Sequence, residues 1–222
     1  MPVETESCPL CYNNGAESFF ADKVRSYLRC QQCRLVFVPH QYWLSATEEK
    51  ASYDLHENDV NDPGYRKFLS RLVVPLQEKL PTSQRGLDFG CGPGPALAEL
   101  VREYGHQVDL FDCFYHNDKT VFSNSYDFIC ATEVIEHLRS PAEEFTRLFS
   151  VLKSGGWLGI MTKQVSDRDA FSRWHYIRDL THICFYSPAT FKYLAARFDA
   201  NFELLGDDVI LFRKSLNKNP DN

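Results

Sequence analysis

Residues 85–95 read Arg-Gly-Leu-Asp-Phe-Gly-Cys-Gly-Pro-Gly-Pro. The stretch places a short apolar strand before three glycines at alternate positions, Gly90, Gly92 and Gly94, and a helical pattern of apolar residues starts at Ala96. Because glycine has no side chain, the backbone of a strand-to-helix turn built from glycines can approach a ligand closely. The stretch therefore predicts a ligand with an anionic end and a flat ring at this turn.

The spacing of these glycines separates two kinds of nucleotide site. A dinucleotide fingerprint reads G-x-G-x-x-G, but here the third glycine comes one residue earlier, and Asp88 precedes the first glycine by two positions. The stretch resembles motif I of class I S-adenosylmethionine-dependent methyltransferases, hydrophobic-Asp-hydrophobic-Gly-x-Gly-x-Gly. This resemblance implies S-adenosylmethionine as cofactor, bound by Asp88, Phe89, Gly90, Cys91, Gly92, Gly94, Asp112, Cys113, Thr132 and Glu133.

The rest of the chain alternates strand and helix patterns. Apolar runs predict strands at residues 108–112, 126–131, 157–161, 202–205 and 209–212. Ser140 and Glu143 form a capping-box pattern that predicts the start of a helix, and Gly155-Gly156 predict its end. The alternation predicts a mostly parallel α/β sheet with ligand chemistry at the carboxyl ends of its strands. The last two runs flank a Gly206 turn and predict a closing antiparallel hairpin.

Later landmarks extend the resemblance over roughly residues 85–215. Asp112 matches the acid at the end of the second strand, which in the family accepts hydrogen bonds from the ribose hydroxyls. Residues 133–138 resemble the motif after the fourth strand, and residues 152–158 resemble the Leu-Lys-Pro-Gly-Gly turn before the fifth. A dehydrogenase would explain the glycine turn but neither the Gly-Gly turn nor the hairpin. The resemblance therefore implies a Rossmann-like methyltransferase sheet.

One segment departs from the family pattern. Only thirteen residues, 113–125, separate Asp112 from the next strand, where the family fits a helix, a strand and another helix. We therefore expect the third strand of the sheet to be short or absent. The acid that in the family binds adenine has no clear counterpart, so we expect the adenine to pack on apolar residues such as Phe114 and Tyr115.

Composition sets limits on the function. The 222 residues are 44% hydrophobic and 24% charged, as in an ordinary globular protein, and the formal net charge is −6. This charge argues against a large nucleic-acid footprint without excluding a local basic patch. No apolar run approaches the ~20 residues that span a membrane, and the N-terminal residues lack the pattern of a secretory signal. We expect a cytoplasmic protein with reduced cysteines and no membrane contact.

Four of the eight cysteines form a distinct pattern. Cys8-x2-Cys11 and Cys30-x2-Cys33 are two pairs that match a tetrahedral zinc site, whereas Cys91, Cys113, Cys130 and Cys184 occur singly. Two disulfides are the alternative, and they would need an oxidising compartment. Apolar patches between and after the pairs indicate a zinc ribbon. Because four thiolates leave no open coordination position, we expect the zinc to be structural.

These patterns divide the chain into four parts. We predict a zinc ribbon over residues 1–44, a linker and amphipathic helix over 45–84, a methyltransferase core over 85–217 and a polar tail over 218–222. The amphipathic helix begins at Asp62-Pro63, and Pro75 is expected to kink it. The predicted fold class is α/β, a Rossmann-like class I methyltransferase sheet with a small N-terminal zinc ribbon.

Two groups of residues are catalytic candidates. Glu133, Glu136 and His137, with His182 from later in the chain, resemble the set that in quinone O-methyltransferases and small-RNA 2′-O-methyltransferases holds a divalent ion such as magnesium. The alternative is that they pack and cap the following helix. The second group is the aromatic segment 168–176, where His175 is a candidate base and an ordinary surface helix is the alternative. His182 and His137 are likewise candidate bases.

We expect an S-adenosylmethionine-dependent methyltransferase that acts on a small-molecule acceptor by in-line displacement at oxygen or carbon. Such an enzyme mainly aligns donor and acceptor and excludes water, and a base or metal helps only if the acceptor loses a proton. The alternatives are an RNA methyltransferase with a Glu/His metal site and a non-catalytic S-adenosylmethionine-binding or scaffold protein. The ribbon would shape the acceptor pocket or dock a protein partner.

Overall fold

The structure is a computed structural model that describes residues 6–55 and 59–216. The predicted polar tail and residue 217, the last of the predicted core, lie outside the described residues. Within them the strands are β1 Ala16–Ala21, β2 Ser26–Cys30, β3 Val36–Phe37, β4 Arg85–Phe89, β5 Gln107–Phe111, β6 Tyr126–Thr132, β7 Leu152–Met161, β8 Cys184–Phe185, β9 Ala200–Leu205 and β10 Val209–Lys214. The α-helices are α1 Ala46–Tyr53, α2 Pro63–Gln77, α3 Ala96–Glu103, α4 Pro141–Val151, α5 Arg168–Ser172 and α6 Pro188–Arg197.

The central sheet has the order β5-β4-β6-β7-β10-β9. The neighbouring pairs among β5, β4, β6 and β7 are parallel, while β10 runs antiparallel to both β7 and β9. Side chains of a strand alternate between the two faces, so Phe128 and Cys130 pack toward α2 and α3 while Ile129 and Ala131 pack into the core on the other face. The predicted α/β sheet with a closing antiparallel hairpin is confirmed.

Local capping explains where the helices begin. The Asp62 carboxylate accepts the N–H of Tyr65 at 2.7 Å, which starts α2 at Pro63 as predicted. Pro75 lies only two residues before the end of that helix. Ser187 and Thr190 form a capping box at the start of α6. These contacts satisfy N–H groups that have no partner inside the helix.

Helix α4 begins where the sequence predicts, but its cap and its end differ from the prediction. It begins at Pro141, but the Ser140 side chain makes no cap hydrogen bond. It ends at Val151, because Gly155 and Gly156 lie inside β7 instead of terminating the helix. The β6–β7 pairing passes from Tyr126–Leu152 to Phe128–Trp157, so the glycines form an irregularity in the strand. Gly155 takes a φ of +76°, a conformation that favours glycine.

The segment after β5 is short, as the sequence predicts. Residues 113–125, all of which the structure describes, contain an Asp112–His116 bridge and a 3-10 turn at Lys119–Ser123 but no strand. Strand β5 is therefore an edge of the central sheet. The prediction that the third strand is short or absent is confirmed, because the segment forms no strand.

The ribbon forms a second sheet, with the order β1-β2-β3-β8. Its fourth strand, β8, follows β7 in the chain and pairs with β3 through Val36–Phe185 and Phe37–Cys184. Tyr27 of β2 also packs against the ring of Phe185 at a centroid distance of 5.9 Å. The segment predicted as a separate ribbon thus shares its sheet and its apolar core with residues that follow β7 in the sequence.

Candidate active site

A cavity of about 680 Å³ opens at the carboxyl ends of β4, β5 and β6. Helices α1 and α2 cover it through Glu49, Tyr53, Tyr65, Phe68 and Leu69. Nine of the ten residues implied to bind the cofactor line this cavity, namely Asp88, Phe89, Gly90, Cys91, Gly92, Asp112, Cys113, Thr132 and Glu133. Gly94, the third glycine of the motif, is not among the described lining residues, since it lies where the turn leads into α3.

The glycine turn at the cavity has a left-handed conformation that favours glycine. Gly90 has a φ of +77° and Gly92 a φ of +64°. The N–H groups of Gly90 and Cys91 both donate to the carbonyl of Phe111, at 2.7 and 3.2 Å, which ties the turn to the end of β5. A Cβ on Gly90 would meet a methyl group of Val134 at 2.3 Å. Both the φ angle and the close packing therefore exclude a side chain at Gly90.

Replacing Gly90 with alanine should destabilise the protein more than the matched change at Gly105. Gly105 also has a positive φ, +86°, but no atom lies within 4 Å of its Cβ position. Gly105→Ala should lose only the left-handed backbone penalty of about 1–2 kcal/mol, whereas overpacking adds about 1–3 kcal/mol at Gly90. Chemical denaturation of the two variants measures the difference. Equal losses would contradict the close packing at Val134.

Asp112 connects the glycine turn to the shortened segment. Its Oδ1 accepts the N–H groups of Phe114 and Tyr115, at 2.8 and 3.1 Å, and its Oδ2 accepts the N–H of Gly92 at 3.1 Å. These three backbone donors fix the carboxylate against the cavity wall. A carboxylate has further lone pairs for a ligand, which fits the role in binding ribose hydroxyls that the family resemblance implies.

Two buried carboxylate oxygens, on residues that line the cavity, have no hydrogen-bond partner among the described residues. They are Oδ2 of Asp88 and Oε1 of Glu133. Asp88 is 2% exposed, and burial raises its pKa to about 7. Burial also raises the pKa of Glu133 to about 7. Since unpaired buried acceptors are costly, the pair favours a ligand that carries cationic or N–H and O–H donor groups, as S-adenosylmethionine does.

Aromatic side chains line the cavity beside Asp112. Phe114 and Tyr115 are in the lining, as we predicted for the adenine site. The Tyr115 hydroxyl donates to Asp54 at 2.7 Å, and the ring of Tyr53 lies 5.8 Å from that of Phe114. Helix α1 therefore adds Tyr53 to the site. Sequence reasoning missed Tyr53 because it lies in a polar stretch without an apolar period.

The predicted Glu/His metal set is only partly assembled. Glu136, His137 and His182 lie within 4.8 Å of one another, but Glu133 does not belong to this group. Glu136 is fully buried, and its two oxygens accept the hydroxyls of Tyr176 and, at 3.1 Å, Thr162. Burial, together with the nearby Glu133, raises the pKa of Glu136 to about 8. Protein donors therefore already occupy the carboxylate that would be the central ligand.

His182 lines the cavity with one ring nitrogen available. Its Nδ1 lies 2.8 Å from the carbonyl of Tyr176, which accepts a hydrogen bond from Nδ1–H and leaves Nε2 as an acceptor. Nε2 lies 3.7 Å from a carboxylate oxygen of Asp179, another lining residue. Burial lowers the pKa of His182, so the ring is neutral near pH 7. His137 also lines the cavity, with its ring centroid 4.7 Å from that of His182.

His175 lies elsewhere. Its side chain is exposed, and it is not among the described lining residues of the cavity. The neighbouring Tyr176 is buried and reaches Glu136, because the 3-10 turn at His175–Arg178 points consecutive side chains in different directions. From the aromatic segment 168–176, Tyr176 thus contributes to the buried network next to the cavity, and Phe171 packs against ribbon residues Phe19 and Tyr27.

The four ribbon cysteines form a second cluster, and none of them is among the residues that line the cavity. Their sulfurs lie within 4.8 Å of one another, with Cys8–Cys33 and Cys11–Cys30 at 3.5 and 3.4 Å, and all four are free thiols. Each Cys-x2-Cys pair is followed by a residue with left-handed backbone, Tyr12 with a φ of 58° and Arg34 with a φ of 63°, so the two turns are of the same kind. A tetrahedral zinc with bonds of about 2.3 Å to sulfur needs sulfurs about 3.8 Å apart. The cluster has the composition and size of such a site.

Together the parallel sheet, the glycine turn and the acid after β5 define a class I S-adenosylmethionine-dependent methyltransferase. A family model described as a methyltransferase domain matches residues 62–205, and the chain belongs to this family. No curated protein matches the sequence.

Solved methyltransferase structures share the fold. An O-methyltransferase family protein from Burkholderia thailandensis has 14% sequence identity and a TM-score of 0.53, with 80% of this chain and 63% of that protein covered. A 1,6-didemethyltoxoflavin-N1-methyltransferase from the same organism, with bound 1,6-didemethyltoxoflavin and S-adenosylhomocysteine, has 14% identity and a TM-score of 0.50 over 90% of this chain and all of its own. The chain thus spans less than two thirds of the first protein's length. Among the described residues, no helix has the length and apolar character needed to cross a bilayer.

Proposed function

We propose that the protein transfers a methyl group from S-adenosylmethionine to an oxygen or carbon atom of a small molecule. The observation that carries this proposal is the pair of unpartnered carboxylate oxygens, on Asp88 and Glu133, in the wall of the cavity at the glycine turn. Asp88, Glu133 and Asp112 would hold the donor groups of the cofactor, and Phe114 and Tyr115 its adenine. When bound, S-adenosylmethionine supplies an activated methyl group on a sulfonium.

Residues of this chain would exclude water and accept the proton. Helices α1 and α2 cover the cavity and exclude water, which favours in-line displacement. His182 is the candidate base, because its Nε2 is an acceptor at the cavity wall. As the acceptor atom is methylated, its proton would pass to Nε2, and the Asp179 carboxylate at 3.7 Å would stabilise the imidazolium that forms.

A small acceptor fits the site better than RNA. The net charge is −6, and the cavity is lined by six carboxylates against two cationic side chains, Lys119 and Arg147. An RNA backbone would meet repulsion there. The proposal also needs no magnesium, since protein hydroxyls already bind the oxygens of Glu136. The toxoflavin methyltransferase with the same fold binds a small molecule, 1,6-didemethyltoxoflavin.

We further propose that Cys8, Cys11, Cys30 and Cys33 hold one structural zinc. Four sulfur ligands would close the coordination sphere, so the ion would stabilise the ribbon and take no part in methyl transfer. Eight free thiols fit a reducing compartment. We therefore propose a cytoplasmic location.

Titration with S-adenosylhomocysteine tests the cofactor site without knowledge of the acceptor. We expect the wild type to bind one molecule per chain, and Asp112→Ala to weaken binding about 10- to 100-fold, since hydrogen bonds to a charged group contribute about 1.5–3 kcal/mol. Asp118→Ala is the matched control, because Asp118 lies in the same segment but only caps a turn at Thr120. Isothermal calorimetry gives the three affinities. No binding by the wild type would refute the proposal.

The acceptor can then be sought directly. The wild type is incubated with methyl-labelled S-adenosylmethionine and a fractionated metabolite extract, and labelled products are identified by mass spectrometry. Transfer of label to a small molecule supports the proposal. Transfer only to added RNA, or to nothing while the cofactor binds, would favour the RNA-modifying or the non-catalytic alternative.

A further inference from the structure

A buried arginine of the ribbon contacts the wall of the cavity. Arg25 lies at the turn between β1 and β2 and is only 3% exposed. Its Nε donates to the Tyr27 hydroxyl at 2.9 Å, and its two terminal nitrogens donate to the backbone carbonyls of Ile177 (3.0 Å), Asp179 (2.9 Å) and Leu180 (3.1 Å). A buried charge is costly unless its donors are paired, and here all three guanidinium nitrogens have partners.

The carbonyls that Arg25 binds belong to the segment that carries Asp179 and His182. These two side chains line the cavity. The segment follows a 3-10 turn and has no regular strand until β8, so its conformation depends on such contacts. The carbonyl of Asp179 accepts from Arg25 and also, at 3.3 Å, from the backbone N–H of His182. One peptide group therefore connects the guanidinium to the histidine.

The ribbon holds the other end of the same segment as well. The N–H of Val38 donates to the carbonyl of Ile183 at 2.9 Å, and β3 pairs with β8 immediately afterwards. On the opposite side, the N–H of Ile183 donates to the carbonyl of Glu136 at 2.8 Å. The cavity wall from residue 177 to 183 is thus held between the ribbon and the loop after β6.

We propose that Arg25 is a positioning residue for methyl transfer: its guanidinium fixes the 177–182 backbone so that the carbonyl of Tyr176 holds His182 with Nε2 toward the acceptor. The ribbon then supports, from outside the cavity, the segment that carries Asp179 and His182, and a separate docking module is not required. A lysine cannot replace Arg25, because an ammonium is a compact point charge without the planar fork that reaches several carbonyls. This inference rests on the proposed role of His182 as base.

The test uses the zinc-loaded full chain and the tautomer of His182. Long-range proton–nitrogen NMR spectra distinguish Nδ1–H from Nε2–H, and the signal is assigned by its loss in His182→Gln. We expect the wild type to show the Nδ1–H form, and Arg25→Lys and Arg25→Gln to show a mixture, because the Tyr176 carbonyl no longer holds Nδ1. Binding of S-adenosylhomocysteine should change less than threefold, and zinc should stay at about one per chain.

Arg29→Gln is the matched control. Arg29 lies on the same hairpin, but it pairs with Glu17 at 2.6 Å and does not reach the 177–182 segment. Arg29→Gln should leave the His182 tautomer unchanged. If any disturbance of the ribbon were enough to change the tautomer, Arg29→Gln would change it too. Arg25→Lys keeps the charge and provides a folded variant if Arg25→Gln fails to fold. An unchanged Nδ1–H signal in a folded Arg25 variant would overturn the positioning role. Failure of the wild type to bind S-adenosylhomocysteine would instead overturn the proposed function and leave the tautomer result intact.

Discussion

Cys30→Ser should remove the zinc and lower the melting temperature of the whole protein by more than about 10 °C. Structural zinc contributes about 10–16 kcal/mol to the folding of zinc-finger peptides. Here the ribbon is also held by β8 and by Arg25, so we expect the free energy of unfolding to fall by only about 5 kcal/mol. For a chain of this size, each kcal/mol lost lowers the melting temperature by about 2–4 °C. Metal analysis should fall from about one zinc per chain to none, and thermal unfolding followed by circular dichroism measures the shift.

Cys113→Ser is the control for this experiment. Cys113 is an exposed, single thiol outside the ribbon cluster. It should keep one zinc per chain and the wild-type melting temperature. A wild-type chain that is well folded without bound zinc would refute the zinc site, and a Cys30→Ser variant that melts with the wild type would show that the ion is not structural.

Asp88→Asn should make the free protein more stable and the cofactor bind more weakly. Asp88 is buried, with one oxygen unpartnered among the described residues, so its ionised form is disfavoured until a cationic ligand arrives. A neutral amide removes that penalty in the free protein. It also removes the charge that faces the cofactor, and breaking a buried charge pair costs about 3–5 kcal/mol, which corresponds to a loss of at least about 100-fold in affinity.

The stability gain should depend on pH in a defined direction. Burial raises the pKa of Asp88 from 3.8 to about 7 in the folded state. Well below pH 3.8 both states hold the proton, so Asp88 causes no penalty. As pH rises from there toward 7, the unfolded state releases its proton while the folded state keeps it, so the free energy of unfolding decreases. At 1.36 kcal/mol per pKa unit the difference reaches about 4 kcal/mol above pH 7, and Asp88→Asn should recover most of it there and only a small part at pH 4.

Denaturant unfolding at pH 4 and pH 8, with calorimetry at pH 8, measures both effects. Asp127→Asn is the comparison, because Asp127 on β6 is ion-paired with Lys153 at 2.7 Å and accepts the N–H of Arg85 at 3.0 Å. That variant should lose stability at pH 8 and bind S-adenosylhomocysteine normally. If Asp88→Asn were less stable than the wild type at pH 8, the carboxylate would have a partner that the structure does not show.

Much of the cofactor site could be predicted because its determinants are local. The φ angles of Gly90 and Gly92 favour glycine, and Asp112, directly after β5, accepts the N–H of Gly92 while the carbonyl of Phe111 accepts that of Gly90. Gly94 falls where the turn passes into α3 and is not among the described lining residues, and its contact with the cofactor stays a prediction. The absence of the third strand could also be predicted from the sequence, because thirteen residues are too few for a helix, a strand and another helix.

Other features depend on contacts that leave no local signal. Gly155 and Gly156 suit a helix end as well as an irregular strand, and only the β6 pairing decides between them. Strand β8 has two residues, too few for any periodic pattern. His175 and Tyr176 are adjacent, and the chemistry of either side chain would suit an active site. In the 3-10 turn that contains them, only the Tyr176 side chain is buried and contacts Glu136. The backbone carbonyls that Arg25 binds lie 152 to 155 residues away in sequence.

The pairing of β3 with β8 has a consequence for synthesis on the ribosome. The four cysteines of the proposed zinc site emerge early, but the strand that completes their sheet emerges only after residue 185 has been made. Contacts of such long sequence separation form late and slow the rate of folding. The nascent ribbon must therefore expose the apolar edge of β3 for most of translation, and early metal capture would limit misfolding during that interval. A chain that stops before residue 184 would keep this edge open permanently and should aggregate.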